Sequence, residues 1–469
     1  MRRAYAVEAV RAAEQVLLDR LPDGALMQRA AAGLATVCAG LLGRVYGARV
    51  ALLAGSGNNG GDALFAGARL ARRGARVEAV LVTGRAHDAG LDALLRAGGS
   101  VVDVVADDAD LVVDGILGIG GRGGLRDRAA GIAAGLPDGA WVVAVDVPSG
   151  VDSSTGEVPG PAVRADVTVT FGALKPGLLV DPGAGHAGVV EVVDIGLDLP
   201  PGGVEVLQAD DVSRLLPRPD RESDKYRRGV VGVAAGSEQY PGAAVLCVGG
   251  ALRGGAGMVR YVGSPEPTRL VRASWPEAVV GEGRVQAWTV GSGGGGDAAQ
   301  RLARAAEDGV ALVVDADALS ALDGQVDRGS MLLTPHAGEL ARLVGAGRAE
   351  VEARRLHHAT SAARALGAVV LLKGSTTVVA TPDGRVRVNP TGTPALATAG
   401  SGDVLAGLCG ALVAGGLDPF DAGSAGAWVH GLAARLAATG GRPLRASDVV
   451  EALPQAVAAL AGGSGKLDG

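Results

Sequence analysis

Short β-branched runs, each followed by a stretch of helical periodicity, recur along the whole chain and leave few architectures open to it. In the first half, Val50-Ala51-Leu52-Leu53, Val77-Glu78-Ala79-Val80-Leu81-Val82, Leu111-Val112-Val113-Asp114, Trp141-Val142-Val143-Ala144-Val145-Asp146 and Val167-Thr168-Val169-Thr170-Phe171 read as strands. Apolar runs of this kind, separated by helices, form a mostly parallel sheet covered on both faces. A second series starts at Val230-Val231-Gly232-Val233 and continues through residues 258–262, 311–315, 331–334 and 368–372. Between the two series, Leu199-Pro200-Pro201-Gly202-Gly203 breaks the pattern, and a polar stretch over 210–228 with Pro217 and Pro219 is expected to be a linker. Two different α/β domains are expected, over residues 1–205 and 206–469.

Composition narrows the function classes. At 469 residues the chain is long for a single core. A net charge of −6 and 3% aromatic residues argue against nucleic acid as a partner. Cys38, Cys247 and Cys409 lie far apart in apolar surroundings, with neither disulfide nor metal-site spacing, as expected in a reducing compartment. The first fifteen residues carry charges and no signal-peptide core. No apolar stretch is read as long enough to span a bilayer, 404–417 being too short. A soluble, cytoplasmic protein is therefore expected, without membrane partners and associating as a homo-oligomer. The 77 glycines follow no period, so a glycine carries meaning only inside a specific pattern.

Two regions supply such patterns. Gly400-Ser401-Gly402-Asp403 runs directly into the uncharged apolar segment 404–417, which reads as a buried helix. Backbone N–H groups at such a start lack intrahelical partners and attract anions. Gly402 keeps the approach bare. Asp403 adds a carboxylate where negative charge would gather, which suits a base that takes a proton as a phosphoryl group arrives. An ordinary N-cap aspartate would look the same. Lys373-Gly374-Ser375-Thr376-Thr377 closes a strand with a cation and three hydroxyls, fit for a diphosphate or for a plain turn. No Walker A pattern occurs.

The other region is Gly55-Ser56-Gly57-Asn58-Asn59-Gly60-Gly61-Asp62, between a strand and a helix expected from Ala63. Its glycines fit a dinucleotide fingerprint, yet Glu78 stands near the start of the next strand rather than at its end. Asn58, Asn59 and Asp62 supply oxygens better suited to a cation or to ribose hydroxyls. Asp114 and Asp146 end two further strands, where open α/β sheets hold their ligands. Each alone would more often cap a turn.

Together, Gly57-Asn58-Asn59-Gly60-Gly61-Asp62, Val113-Asp114-Gly115-Ile116-Leu117-Gly118 and Val145-Asp146-Val147-Pro148-Ser149-Gly150 resemble NAD(P)H-hydrate epimerases, over most of residues 1–200. The resemblance implies a Rossmann-like three-layer domain with Asn59, Asp114 and Ser149 as potassium ligands. It implies that Asn58, Asn59, Gly60, Gly61, Asp62, Gly118, Ile119, Gly120, Gly121, Arg122, Gly123, Gly124 and Asp146 contact the hydrated nicotinamide nucleotide. Asp146 is the expected catalytic residue. Ala63 stands where the family usually has glycine, and Lys175 is expected to anchor a turn, with a catalytic role as the alternative.

Over 208–462, Lys225, Gly236-Ser237, Asp315-Ala316-Asp317-Ala318-Leu319, Thr334-Pro335-His336-Ala337-Gly338-Glu339, the Lys373 to Thr377 turn and the segment around Asp403 resemble ADP-dependent NAD(P)H-hydrate dehydratases, which have a ribokinase-like fold. That implies an adenine nucleotide, with Mg2+, on Lys373, Gly374, Ser375, Thr376, Thr377 and Gly402. It implies the hydrate on Ala243, Gly293, His336 and Asp403, with Asp403 catalytic. The loop Gly291-Ser292-Gly293-Gly294-Gly295-Gly296 departs from the family's G-P-G-L-G. The implied chemistry is repair of hydrated NADH and NADPH: epimerisation of the R and S hydrates, then ADP-driven dehydration of the S hydrate. The rival reading is a ribokinase-type small-molecule kinase fused to a nucleotide-binding module.

Overall fold

The computed structural model describes residues 1–121, 123–218, 221–222, 224–322 and 330–461. The chain divides into two compact units, Arg3–Val204 and Met1–Arg2 with Glu205 onward.

The first unit holds a seven-stranded sheet. Its spatial order is Ser100–Val102, Arg76–Leu81, Arg49–Ala54, Leu111–Gly115, Trp141–Val145, Val167–Phe171 and Val189–Val193, with every pairing parallel. The chain order reverses direction at Arg49–Ala54, whose neighbours are Arg76–Leu81 on one side and Leu111–Gly115 on the other. Beyond the carboxyl ends of the strands flanking such a reversal lies the crevice in which doubly wound folds bind ligands. Helices Ala25–Leu42 and Asn58–Arg72 cover one face, packing Leu34, Leu64 and Leu70 against Leu52, Val113 and Val143.

Two expectations need correcting here. The helix expected from Ala63 starts at Asn58, so Asn58 to Asp62 form its first turns rather than a loop. Ala25–Leu42 is, by length and composition, apolar enough to cross a membrane, contrary to the sequence reading. In the fold, one side of it (Leu26, Ala30, Ala31, Leu34, Ala35 and Cys38) belongs to the core, which accounts for its apolar character.

The second unit is built on parallel strands Val230–Ala234, Met258–Tyr261, Val279–Val280, Ala287–Val290, Ala311–Val314, Met331–Leu333 and Val369–Leu372. Thr377–Ala380 and Val386–Asn389 extend the sheet antiparallel. The polar stretch expected as linker opens with helix Ala209–Leu215, started by a reciprocal cap between Gln208 and Asp211.

Helix Ser401–Ala414 is buried from Val404 to its end and crosses helix Pro241–Arg253 at backbone contact. A Cβ on Gly407 would lie 1.9 Å from the Cys247 carbonyl oxygen, and one on Gly250 would lie 2.3 Å from that of Val404. Only bare glycines permit that approach. The crossing fixes the start of helix Ser401–Ala414, and with it Asp403, against the core.

Candidate active sites

In the first unit a cavity of about 1050 Å³ opens at the strand reversal, lined by Asn58, Asn59, Gly60, Asp62, Gly118, Ile119, Gly120, Gly121 and Asp146 among others. Gly61, Gly123 and Gly124 are not part of that lining: Gly61 faces His87 and Met27, and Gly124 backs onto Gly160. Arg122 lies outside the described residues. The two loops meet at backbone contact, since a Cβ on Gly55 would fall 2.0 Å from the Ile116 carbonyl oxygen. The methyl group of Ala63 is buried against Gly115 rather than in the cavity, so it does not crowd a ligand.

Asp146 turns the chain at the end of its strand with φ 68°, a left-handed geometry that non-glycine residues rarely adopt. Its Oδ1 accepts hydrogen bonds from Thr170 Oγ1 at 2.9 Å, Phe171 N at 3.1 Å and Lys175 Nζ at 2.5 Å. Lys175 also donates to Thr170 Oγ1 and to the Phe171 carbonyl, both at 2.9 Å. It does hold the turn, as expected, but its ammonium is also the buried counter-charge of Asp146, which sequence reasoning missed. Glu14 and Arg11, from helix Val7–Leu18, also line the cavity. Nothing local marks them, because charged residues on an amphipathic helix ordinarily face water. Burial raises the Glu14 pKa, and the negative field of Asp146 adds to the rise.

Asp114 is fully buried. Its oxygens accept from Ser149 Oγ at 2.7 Å, Ser149 N at 2.8 Å and Ile116 N at 3.3 Å. Ser149 Oγ in turn accepts from Leu117 N at 2.9 Å. Asn59 donates through Nδ2 to the carbonyls of Val145 at 2.6 Å and Leu117 at 3.2 Å, and among the described residues no donor reaches its Oδ1. Burial raises the Asp114 pKa, and among the described residues no basic side chain is paired with it.

In the second unit Gly400, with φ 86°, precedes helix Ser401–Ala414, whose third residue is Asp403. No hydrogen bond reaches the Asp403 carboxyl among the described residues. Burial, then the negative field of Asp315, pushes its pKa up to about 7, against the opposing pull of Lys373. Lys373 Nζ lies 2.7 Å from Asp315 Oδ1 and 3.9 Å from Glu339 Oε2. A Cβ on Gly402 would sit 3.2 Å from that ammonium, so the bare helix start and Lys373 face each other. Asp315 is further held by Thr334 Oγ1 and Ser292 Oγ, each at 2.8 Å.

His336 caps helix Ala337–Val344: its Nδ1 accepts from Gly338 N at 3.0 Å and Glu339 N at 3.2 Å, while Glu339 Oε2 accepts from His336 N at 2.8 Å. Accepting at Nδ1 requires the neutral ring, and burial lowers the His336 pKa accordingly. Gly374 and Ser375 are exposed and Thr376 is half-buried in the turn after Lys373, while Thr377 is buried as the first residue of its strand. Gly293, with φ 59°, lies against Ala243, where a Cβ would be 2.6 Å from the Ala243 methyl group. The unusual glycine loop thus still brings those two residues together.

Two family models match the chain: "YjeF-related protein N-terminus" over residues 23–177 and "NAD(P)H-hydrate dehydratase" over residues 231–455. The bifunctional NAD(P)H-hydrate repair enzyme Nnr of Mycobacterium leprae is 47% identical, across 98% of this chain and 100% of that protein. The chain belongs to the bifunctional NAD(P)H-hydrate repair enzyme family. The Mycobacterium tuberculosis enzyme of the same name is 48% identical, over 90% of this chain and 91% of its own. Among solved structures, the ADP/ATP-dependent NAD(P)H-hydrate dehydratase of Bacillus subtilis, co-crystallised with ATP and Mg2+, aligns with a TM-score of 0.52 and 30% identity. It covers 55% of this chain and 99% of that one. Family membership accounts for both sites on one chain, one at the end of each parallel sheet.

Proposed function

We propose that the first unit interconverts the R and S hydrates of NADH and NADPH, and that the second dehydrates the S hydrate with ADP, releasing AMP and phosphate. The observation that carries this reading is Asp403. It is a carboxyl group held near neutrality beside a bare helix start and an ammonium group. A base of that pKa removes a proton efficiently at physiological pH. Asp403 would take the proton of the ring hydroxyl as ADP gives up its terminal phosphoryl group, with Gly402 N–H and Lys373 offsetting the charge. Phosphate, a far better leaving group than hydroxide, is then expelled by the ring nitrogen, and loss of a proton from the neighbouring ring carbon restores the dihydronicotinamide ring.

Mg2+ would accompany the nucleotide, which lies along Lys373, Gly374, Ser375, Thr376, Thr377 and Gly402. Ala243, Gly293 and His336 would flank the hydrate. In the first unit Asn59, Asp114 and Ser149 would hold K+. The donor set fits: one fully buried carboxylate with no basic partner among the described residues, together with neutral oxygens. Such a cation would offset the buried charge and tie together the two loops lining the cavity. The expected setting is the cytoplasm, and the expected assembly a homo-oligomer.

The test is incubation of each purified hydrate with ADP. Regenerated NADH, AMP and free phosphate in equal amounts support the reading; a stable phosphorylated product would instead identify a kinase.

A further inference from the structure

We propose that Asp62 and Asp146 act as an acid–base pair in the first unit, Asp62 protonating the departing hydroxyl and Asp146 deprotonating the incoming water. This deepens the epimerase reading and rests on it.

Both side chains line the same cavity, yet their surroundings are opposite. Asp62 is 6% exposed, and its Oδ1 finds no hydrogen-bond partner among the described residues. The charged groups around it are Asp146 and Glu14, with Arg11 and Lys175 acting on Glu14. An unpartnered buried oxygen is costly for a carboxylate and much less so for a neutral acid. Burial, then the fields of Asp146 and Glu14, raises the Asp62 pKa well above the usual carboxylate range. Asp146, by contrast, directs Oδ1 to three donors, one of them the Lys175 ammonium. All of those bonds fall on Oδ1 and leave Oδ2 for a water molecule. One buried carboxyl without a partner and one held by three donors, on the same cavity, are the arrangement of an acid and a base.

The chemistry balances without an external reagent. The hydroxyl-bearing ring carbon is bonded to the ring nitrogen. Asp62 gives its proton to the hydroxyl oxygen, the carbon–oxygen bond breaks, and the nitrogen lone pair forms a carbon–nitrogen double bond as water leaves. A water molecule then adds to the opposite face, the double-bond electrons return to nitrogen, and Asp146 accepts the surplus proton. Return of one proton from Asp146 to Asp62 through water restores the starting state.

The experiment follows conversion of the R hydrate to the S hydrate in H2(18)O, for the full-length protein and its Asp62→Asn and Asp62→Glu variants. The native protein should give epimerised product carrying one 18O. Asp62→Asn should slow epimerisation by about 100-fold or more, with the KM for the hydrate within a few-fold of native. Asp62→Glu should recover part of the rate. Unchanged dehydration of the S hydrate and an unchanged melting profile would show that Asp62→Asn is folded. A native rate in Asp62→Asn, or native epimerisation without 18O uptake, would overturn the proposal while leaving the epimerase reading intact. No epimerisation by the native protein would overturn both.

Discussion

Lys175 Nζ stands 2.5 Å from Asp146 Oδ1, with both side chains almost wholly withdrawn from solvent. Losing one member of such a pair strands the other charge in the interior, typically at about 3–5 kcal/mol. Lys175→Met is therefore expected to destabilise the first unit by that order and to abolish epimerisation, while dehydration of the S hydrate continues. Chemical denaturation and separate assays of the two reactions check this. Retained epimerisation would remove Lys175 from the site.

Asp403 must be ionised to act as a base, and its pKa is pushed up to about 7. Dehydration should therefore fall about tenfold per pH unit below 7 and level off above it. Asp403→Asn should lower turnover by about 100-fold or more, with ADP binding retained by calorimetry.

The same residue sets a stability trade-off. A carboxyl whose pKa is higher folded than unfolded stabilises the fold in its protonated state, and that advantage is lost as pH rises from about 4 through about 7. Above pH 7 the charged Asp403 is a net cost. Asp403→Asn should thus raise the melting temperature at pH 8, with the gain shrinking towards zero near pH 4. Equal melting temperatures at pH 8 would contradict the burial argument.

Gly407→Ala would drive a methyl group into the Cys247 carbonyl. Overpacking of this kind costs about 1–3 kcal/mol, and more where backbone must move. Dehydration should fall with stability, because the crossing positions Asp403. Gly242→Ala, where an added Cβ meets nothing within 4 Å, is the matched control and should melt like the native protein.

Replacing K+ with tetramethylammonium should suppress epimerisation and lower the melting temperature of the first unit, since a bound ion stabilises the folded state by mass action. Ser149→Ala keeps the backbone bond to Asp114 Oδ2 but removes one ligand. It should need several-fold more K+ for the same rate. Indifference of the native protein to the exchange would remove the cation from the reading.

Much of this was legible in the sequence because strand-end aspartates and glycine loops are local signals. Asp114 and Asp146 stand out where a strand's apolar run stops, and Asp403 where an apolar helix begins. Glu14, Arg11 and the ion pairs of Lys175 and Lys373 do not, because they depend on contacts between residues 29 to 58 or more positions apart. A lysine after a strand looks the same whether it meets water or a buried carboxylate. The helix Ala25–Leu42 shows the converse error: its apolar residues belong to a core that composition alone could not reveal. The start of helix Asn58–Arg72 was placed too late because Gly60 and Gly61 read as loop, although tight packing against Gly55 and His87 makes them helical necessities.

Asp114 is the one carboxylate among the three side chains proposed to hold the cation, and among the described residues no three acidic, histidine or cysteine side chains gather to hold a metal. A divalent ion at Asp114 would leave excess positive charge in a dry interior. Isomerisation would then depend on the bulk salt of its surroundings, and the nucleotide-driven step on free magnesium. A chelator would stall one chemistry and spare the other, so that damaged cofactor kept switching hands without ever being cleared.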